Sequence, residues 1–155
     1  MAVQKIRKYL DENDIRYILI VHSPAYTAQE IAANAHIPGD ILAKSVILKI
    51  DGTLAMCVLP ASRRLDLQKC KAALKGENVR LASENEFREH FPECELGAIP
   101  PFGNLFGLPV FVSKELSRNK ELAFNAGTHR EVIKLAYDDY HRLVNPTVLD
   151  LCAKD

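Results

Sequence analysis

Apolar residues fall at Val3, Ile6, Tyr9 and Leu10, three to four positions apart, and this spacing predicts a helix over Val3–Asn13. After a polar break, Tyr17–Val21 is a short apolar run of strand type. Thr27-Ala-Gln-Glu30 forms a capping box, in which the hydroxyl and the carboxylate each take a backbone N–H. It predicts a helix from about Ala28 to Ala35, stopped by Pro38-Gly39. Ser45–Ile50 and Thr53–Leu59 flank Asp51-Gly52, the strongest hairpin signal in the chain, because a two-residue turn there needs positive φ at both positions. Asp66 can cap a helix through Leu74. Val79–Leu81 is a short strand. Ser83-Glu-Asn-Glu86 is a second capping box, opening a helix to about Phe91. Pro109–Val112 and Leu122–Asn125 have the length and apolarity of buried strands. Glu131–Leu135 is read as a strand and Tyr137–Val144 as a final helix. Short strands mix with short helices, without a repeat, a linker or a regular βαβ rhythm. The pattern predicts an α+β fold in a single domain spanning 1–155, rather than a doubly wound sheet.

Composition narrows the function classes. A hydrophobic fraction of 48% over 155 residues is ample for one core. Lys plus Arg equals Asp plus Glu at 20 each, so the formal net charge is zero. That argues against a protein coating duplex nucleic acid through many phosphate contacts, but leaves room for a small site at a nucleic-acid end. Arg63, Arg64, Lys69, Lys71 and Lys75 cluster, and are read as a solvated face. Cys57, Cys70, Cys94 and Cys152 are scattered, with neither metal-ligand spacing nor a disulfide framework. Cys57 lies in an apolar run and is read as a core residue. The N-terminus has charges in its first turns and no apolar leader segment, and no run is long enough to span a bilayer. The expectation is a cytoplasmic protein with no membrane partner.

The most distinctive stretch is Glu95-Leu-Gly-Ala-Ile-Pro-Pro-Phe-Gly-Asn104. Gly97 can take positive φ and admit a close approach, while Pro100 and Pro101 stiffen the chain and hold the preceding residues extended. Free N–H groups at Gly97, Ala98 and Ile99 would suit a small polar or anionic ligand, and a rigid structural turn is the alternative. Lys44, at the entrance of the Ser45–Ile50 strand, either reaches for solvent or places an ammonium at a pocket rim. His22 ends a strand, as a turn histidine or a site residue. Tyr26 either packs beside the Thr27 cap or stacks on a ring. Asn125-Ala-Gly-Thr-His129 is a second glycine-containing turn. Asn125 and Gly127 are explained by the turn alone, and His129 is either structural or a base. The chain has no G-x-S-x-G elbow, no marked Cys/His pair, no P-loop and no G-x-G-x-x-G. Backbone donors, a lysine and histidines without a protein nucleophile fit a site that orients water and polarises a carbonyl.

Taken together, His22-Ser-Pro24, Ala43-Lys-Ser45, Val58-Leu-Pro-Ala-Ser62 with Arg64-Leu-Asp66, Val79-Arg-Leu-Ala-Ser83, Gly97-Ala-Ile-Pro-Pro-Phe-Gly103, Gly107-Leu-Pro-Val110 and Phe124-Asn-Ala-Gly-Thr-His129 resemble a known family. It is that of the YbaK-like aminoacyl-tRNA editing domains, related to the insertion domain of bacterial prolyl-tRNA synthetase. The resemblance implies a mixed, β-barrel-like sheet flanked by helices. It implies a free-standing trans-editing deacylase that hydrolyses the ester of a mischarged tRNA, a tRNA(Pro) carrying a small wrong amino acid. The implied partner is the acceptor end of aminoacyl-tRNA, with possible association with a synthetase. The family's lysine falls on Lys44, and its G-x-x-x-P loop on Gly97 to Pro101, so Gly97, Ala98 and Ile99 would hold the substrate's carbonyl or ribose oxygens. His22, Tyr26, Ser45, Pro100, Pro101, Asn125, Gly127 and His129 are the expected substrate-binding set. No metal and no cofactor are implied; substrate hydroxyls and ordered water do the chemistry. Some branches carry asparagine where this chain has Ser45, so their amino-acid preference does not transfer. The competing functions are a non-catalytic module binding an aminoacyl ester or nucleotide, and a hydrolase of a free small ester.

Overall fold

The computed structural model describes residues 2–21 and 37–154. In chain order these form α1 (Ala2–Glu12), β1 (Tyr17–Val21), β2 (Leu42–Ile50), β3 (Thr53–Pro60), α2 (Leu67–Leu74), β4 (Val79–Leu81), α3 (Glu84–Phe87), β5 (Val110–Ser113), α4 (Lys114–Ser117), β6 (Glu121–Asn125), β7 (Glu131–Ala136), α5 (Tyr137–Val144) and β8 (Thr147–Leu149). Single 3-10 turns cover Arg88–His90 and Gly103–Phe106. The helix predicted over Ala28–Ala35 lies outside the described residues. Among the described residues no helix is long and apolar enough to cross a membrane.

Local chemistry explains most boundaries. Val3, Ile6 and Leu10 are buried along one stripe of α1. Asp51 and Gly52 take φ of 49° and 87°, so the β2–β3 turn has the two positive values its sequence requires. Asp66 caps α2 by accepting from the N–H groups of Gln68 and Lys69 at 2.9 and 3.1 Å. The Ser83 capping box is present. Its Glu86 also accepts from Arg80 through both oxygens and from Lys49, which holds the Glu86 carboxyl well below the usual carboxylate range. The helix predicted to run to Phe91 is shorter than expected: it is α-helical only through Phe87 and closes as a 3-10 turn. Neither α4 nor β8 was read from the sequence. Four and three residues give too little periodicity to see, and β8 exists because it pairs with β5.

One eight-stranded mixed sheet runs β1-β7-β6-β2-β3-β5-β8, with β4 attached to β2. Leu19, Ile133, Phe124, Ile47, Met56 and Val112 belong to one cluster with α1, α5 and Phe102, so the sheet wraps a single core while β1 and β8 remain its ends. The expected α+β single-domain fold with a flanked mixed sheet is therefore present. The opposite face carries two smaller clusters, one around Leu42, Ala123 and Val132, the other around Leu48, Cys57 and Cys70. Cys57 is a core residue, as read from its apolar run.

The site is positioned by β2, which serves three neighbours. It pairs with β3 along its length, with β6 in parallel at Leu42 and Ala43, and with β4 at Leu48–Ile50. The edge opposite β3 is therefore not laddered at Lys44–Val46. Ile47 is already engaged, its carbonyl accepting from Ala82 N–H at 2.9 Å.

Candidate active site

Residues 95–101 lie across this break in the ladder. A recess of about 230 Å³ is lined there by Ser45, Val46, Ile47, Leu81, Ala82, Phe87, Gly97 and Ile99. Its walls are mostly apolar side chains. Its polar elements are Ser45, whose buried Oγ has no hydrogen-bond partner, and the backbone of the loop.

Gly97 has φ of 85°, the left-handed conformation anticipated for it. Ala98 departs from expectation. Its N–H closes a turn on the Glu95 carbonyl at 3.0 Å and is not free for a ligand. A chain that reverses at Gly97 brings residue 98 back over residue 95, so one of the three donors is consumed in making the turn. Among the described residues the N–H groups of Gly97 and Ile99 have no such partner. Two donors thus flank the turn, in place of the three expected.

The loop is held at both ends. Pro100 and Pro101 are buried, and the Pro101 carbonyl accepts from the buried Tyr140 hydroxyl at 2.6 Å. Phe102 then packs edge-on against Phe124 and Tyr140. At the other end, the Glu95 N–H donates to the Gly127 carbonyl at 2.8 Å, and the Gly127 N–H donates to the Ala98 carbonyl at 3.0 Å. The Glu95 carboxylate accepts from the His129 N–H at 3.0 Å and pairs with His129 Nδ1. The two glycine-containing turns singled out in the sequence are therefore one clamped unit. Gly127 has φ of 96°, which lets its N–H and C=O both face the 95–98 turn. His129 is buried and is fixed by Glu95. The clamping role of Glu95 is not legible in the sequence. Its identity as the first residue of the loop carried no signal, because its partner is far away in sequence.

On the other face of the sheet, Lys44 and Asn125 come together through register. Ala43 pairs with Phe124 in the parallel β2–β6 ladder, so Lys44 and Asn125 are the next residues on neighbouring strands. Strand alternation puts both side chains on the face of Leu42 and Ala123. Lys44 is half-buried, and burial lowers its ammonium below the ordinary lysine value. Among the described residues it has no carboxylate partner. Asn125 is 5% exposed and its Oδ1 is buried with no hydrogen-bond partner. Burying an amide oxygen without a partner costs free energy, unless a ligand supplies what is missing.

Of the expected residues, Ser45, Gly97 and Ile99 share the recess. Ala98, Pro100, Pro101, Gly127 and His129 build and clamp the loop. Lys44 and Asn125 flank it on the reverse face, within a strand or two. His22 and Tyr26 lie outside the described residues. Among the described residues no cluster of three His, Cys, Asp or Glu side chains has the arrangement of a metal site.

A model of the aminoacyl-tRNA editing domain matches residues 22–143. The multifunctional Ser/Thr-tRNA deacylase ProXp-y of Escherichia coli (strain K12) is 31% identical over 113 residues, covering 70% of this chain and 67% of that protein. The prolyl-tRNA editing protein ProX of Acetoanaerobium sticklandii is 26% identical over 149 residues, covering 92% of this chain and 90% of its own. A crystal structure described as a candidate trans-editing enzyme for prolyl tRNA synthetase superposes with a TM-score of 0.83 at 22% identity, over 99% of this chain and 98% of that one. With the editing-domain model spanning most of the chain, this protein belongs to the aminoacyl-tRNA editing domain family.

Proposed function

We propose that the chain, as one editing domain, hydrolyses the ester joining a wrong amino acid to the terminal adenosine of a tRNA, acting in trans on a tRNA(Pro) carrying a small residue. The observation that carries this reading is the editing-domain match over residues 22–143, which contains every described element of the site. The geometry supports it. Water adds to the ester carbonyl carbon, the bond to the ribose oxygen breaks, and a proton passes to that oxygen, releasing the amino acid and the tRNA. The charge that develops is on the carbonyl oxygen. The N–H groups of Gly97 and Ile99 are fixed in advance by the clamp from Glu95 and the anchor at Pro101, so they can stabilise that charge without reorganising. Lys44 supplies a half-buried positive charge for a phosphate or an ester oxygen, stronger than the same charge in water. His129, held by Glu95, stiffens the turn that presents Asn125. His22 and Tyr26 complete the substrate-binding set in this reading. In this reading the protein works in the cytoplasm on the acceptor end of the tRNA and associates with a synthetase.

The test is a deacylation panel on tRNA(Pro) carrying alanine, serine, cysteine or 2-aminobutyrate, with correctly charged Pro-tRNA(Pro) as control. Faster hydrolysis of one or more mischarged species than of the control supports the proposal. Binding of all without hydrolysis would favour the non-catalytic module. Hydrolysis of free aminoacyl esters but of no charged tRNA would favour a small-ester hydrolase.

A further inference from the structure

Outside the residues already described, one buried polar atom has no partner among the described residues: a carboxylate oxygen of Glu115. Glu115 lies on α4 and lines a cleft of about 240 Å³ together with Asp40, Pro60, Arg63, Arg118 and Asn119. Unlike the recess, this cleft is walled mainly by polar and charged side chains. Its walls are tied in place. The Ser62 hydroxyl donates to the Asp40 carboxylate at 2.6 Å, and the Asn119 side-chain amide donates to the Asp40 carbonyl at 2.8 Å. The buried Ser113 hydroxyl accepts from the Leu116 N–H at 3.3 Å, which fixes the start of α4 and so the root of Glu115. Arg118 is exposed and forms no ion pair among the described residues.

The cleft adjoins Lys44. Leu59 pairs with Lys44 and Pro60 with Ala43, so the rim of the cleft is one residue, about 3.4 Å, along β3 from the partner of Lys44. The buried Cys152 is close to both places. Burial, and then the Glu115 charge, push its thiol up to about 11, and its own charge acts on the Lys44 ammonium. A chain whose end is held at Lys44 therefore brings its next unit to the Glu115 cleft.

A carboxylate oxygen without a donor, beside guanidinium groups, suits a ligand that places an N–H donor near acceptor or anionic oxygens. Cytosine has such an edge: its N4 amine donates, N3 and O2 accept, and its nucleotide carries a phosphate. Uracil has a carbonyl where cytosine has the amine, so two acceptors would face each other. The last torsion of a glutamate side chain is soft, and a turn about it brings the orphaned oxygen to the amine. In a tRNA acceptor end the terminal adenosine follows a cytidine, so a substrate whose ester lies at Lys44 carries a cytosine as its next base. Resting on the deacylase reading above, we propose that this cleft binds the cytidine preceding the terminal adenosine. The Glu115 carboxylate accepts from the base N4 amine, and Arg118 faces the nucleotide's phosphate. The site holds the chain and takes no part in bond making.

The experiment measures binding by fluorescence anisotropy. Two uncharged RNA hairpins copy the acceptor stem of tRNA(Pro) and differ only in the penultimate base, one ending in CCA and the other in CUA. The wild type is expected to bind the CCA hairpin about tenfold more tightly. Glu115→Ala is expected to bind both at the level of the wild type with CUA. The near-isosteric Glu115→Gln has an amide that can accept from the cytosine amine or donate to the uracil carbonyl, and it is expected to bind both tightly. Arg118→Ala is expected to weaken both hairpins alike, with a shallower dependence on salt. Equal affinity of the wild type for the two hairpins, binding of neither, or an undiminished preference for cytosine in folded Glu115→Ala or Glu115→Gln would overturn the proposal. Deacylation of alanyl- and seryl-tRNA(Pro) by the wild type is followed with the same preparations. Deacylation without a cytosine preference removes the cytidine site and leaves the deacylase reading standing. A cytosine preference that the Glu115 variants lose, without deacylation, upholds the site and removes the deacylase reading.

Discussion

At the scale of single residues, Lys44 and Gly97 carry the most specific consequences. Lys44 is lowered by burial, so the unfolded chain holds its proton more tightly than the folded one. Between the lowered folded value and the ordinary lysine value near ~10.4, stability therefore rises with pH. Below that window the folded protein bears the full desolvation penalty. Lys44→Met removes it. The variant is expected to match or exceed the wild type in urea midpoint at neutral pH, with the difference shrinking in alkali, while deacylation falls about 10²–10³-fold. A variant that keeps near-normal activity would remove Lys44 from the site. Gly97→Ala adds a Cβ at φ of 85°, which costs about 1 kcal/mol or more. Activity at matched folded fraction is expected to drop further than that strain explains, because the turn sets the Gly97 and Ile99 donors. Equal loss of stability and activity would reduce the glycine to a structural role.

At the scale of elements, the loop is only as good as its two anchors. Tyr140→Phe removes the donor to the buried Pro101 carbonyl and leaves that acceptor orphaned. The expected cost is about 1–3 kcal/mol in denaturant unfolding, with a lowered kcat as the loop loosens. An unchanged unfolding midpoint would mean that Phe102 packing alone holds the segment. These anchors also mark what the sequence could and could not tell. The Asp51-Gly52 turn, the Asp66 cap and the Ser83 capping box are decided by neighbouring residues, and they were legible at once. The positive φ of Gly97 was legible too, because proline and glycine restrict the chain locally. The Glu95–His129 pairing was not, since 34 positions separate the partners and nothing local to either points to the other. The use of the Ala98 N–H inside the turn, and the meeting of Lys44 with Asn125 across two strands, likewise depend on register. Short elements such as β8 exist only through their partners, and local periodicity is silent about them.

At the scale of the whole molecule, a chain of zero net charge exerts no overall attraction on a phosphate backbone, so affinity for the tRNA body is expected to be modest and the acceptor end to dominate recognition. The proposed chemistry is carried by backbone donors, an ammonium and an amide, none of which needs a metal. Deacylation is expected to persist after exhaustive chelation, and loss with EDTA restored by zinc alone would contradict this. The decisive measurement is a multiple-turnover time course of ester loss from alanyl- and seryl-tRNA(Pro), with protein at catalytic concentration and Lys44→Met run in parallel. The expected result is many turnovers by the wild type, little hydrolysis of Pro-tRNA(Pro), and near-background rates for the variant. Hydrolysis no faster than the uncatalysed ester, or equal rates for wild type and variant, would contradict the assignment of this site to deacylation.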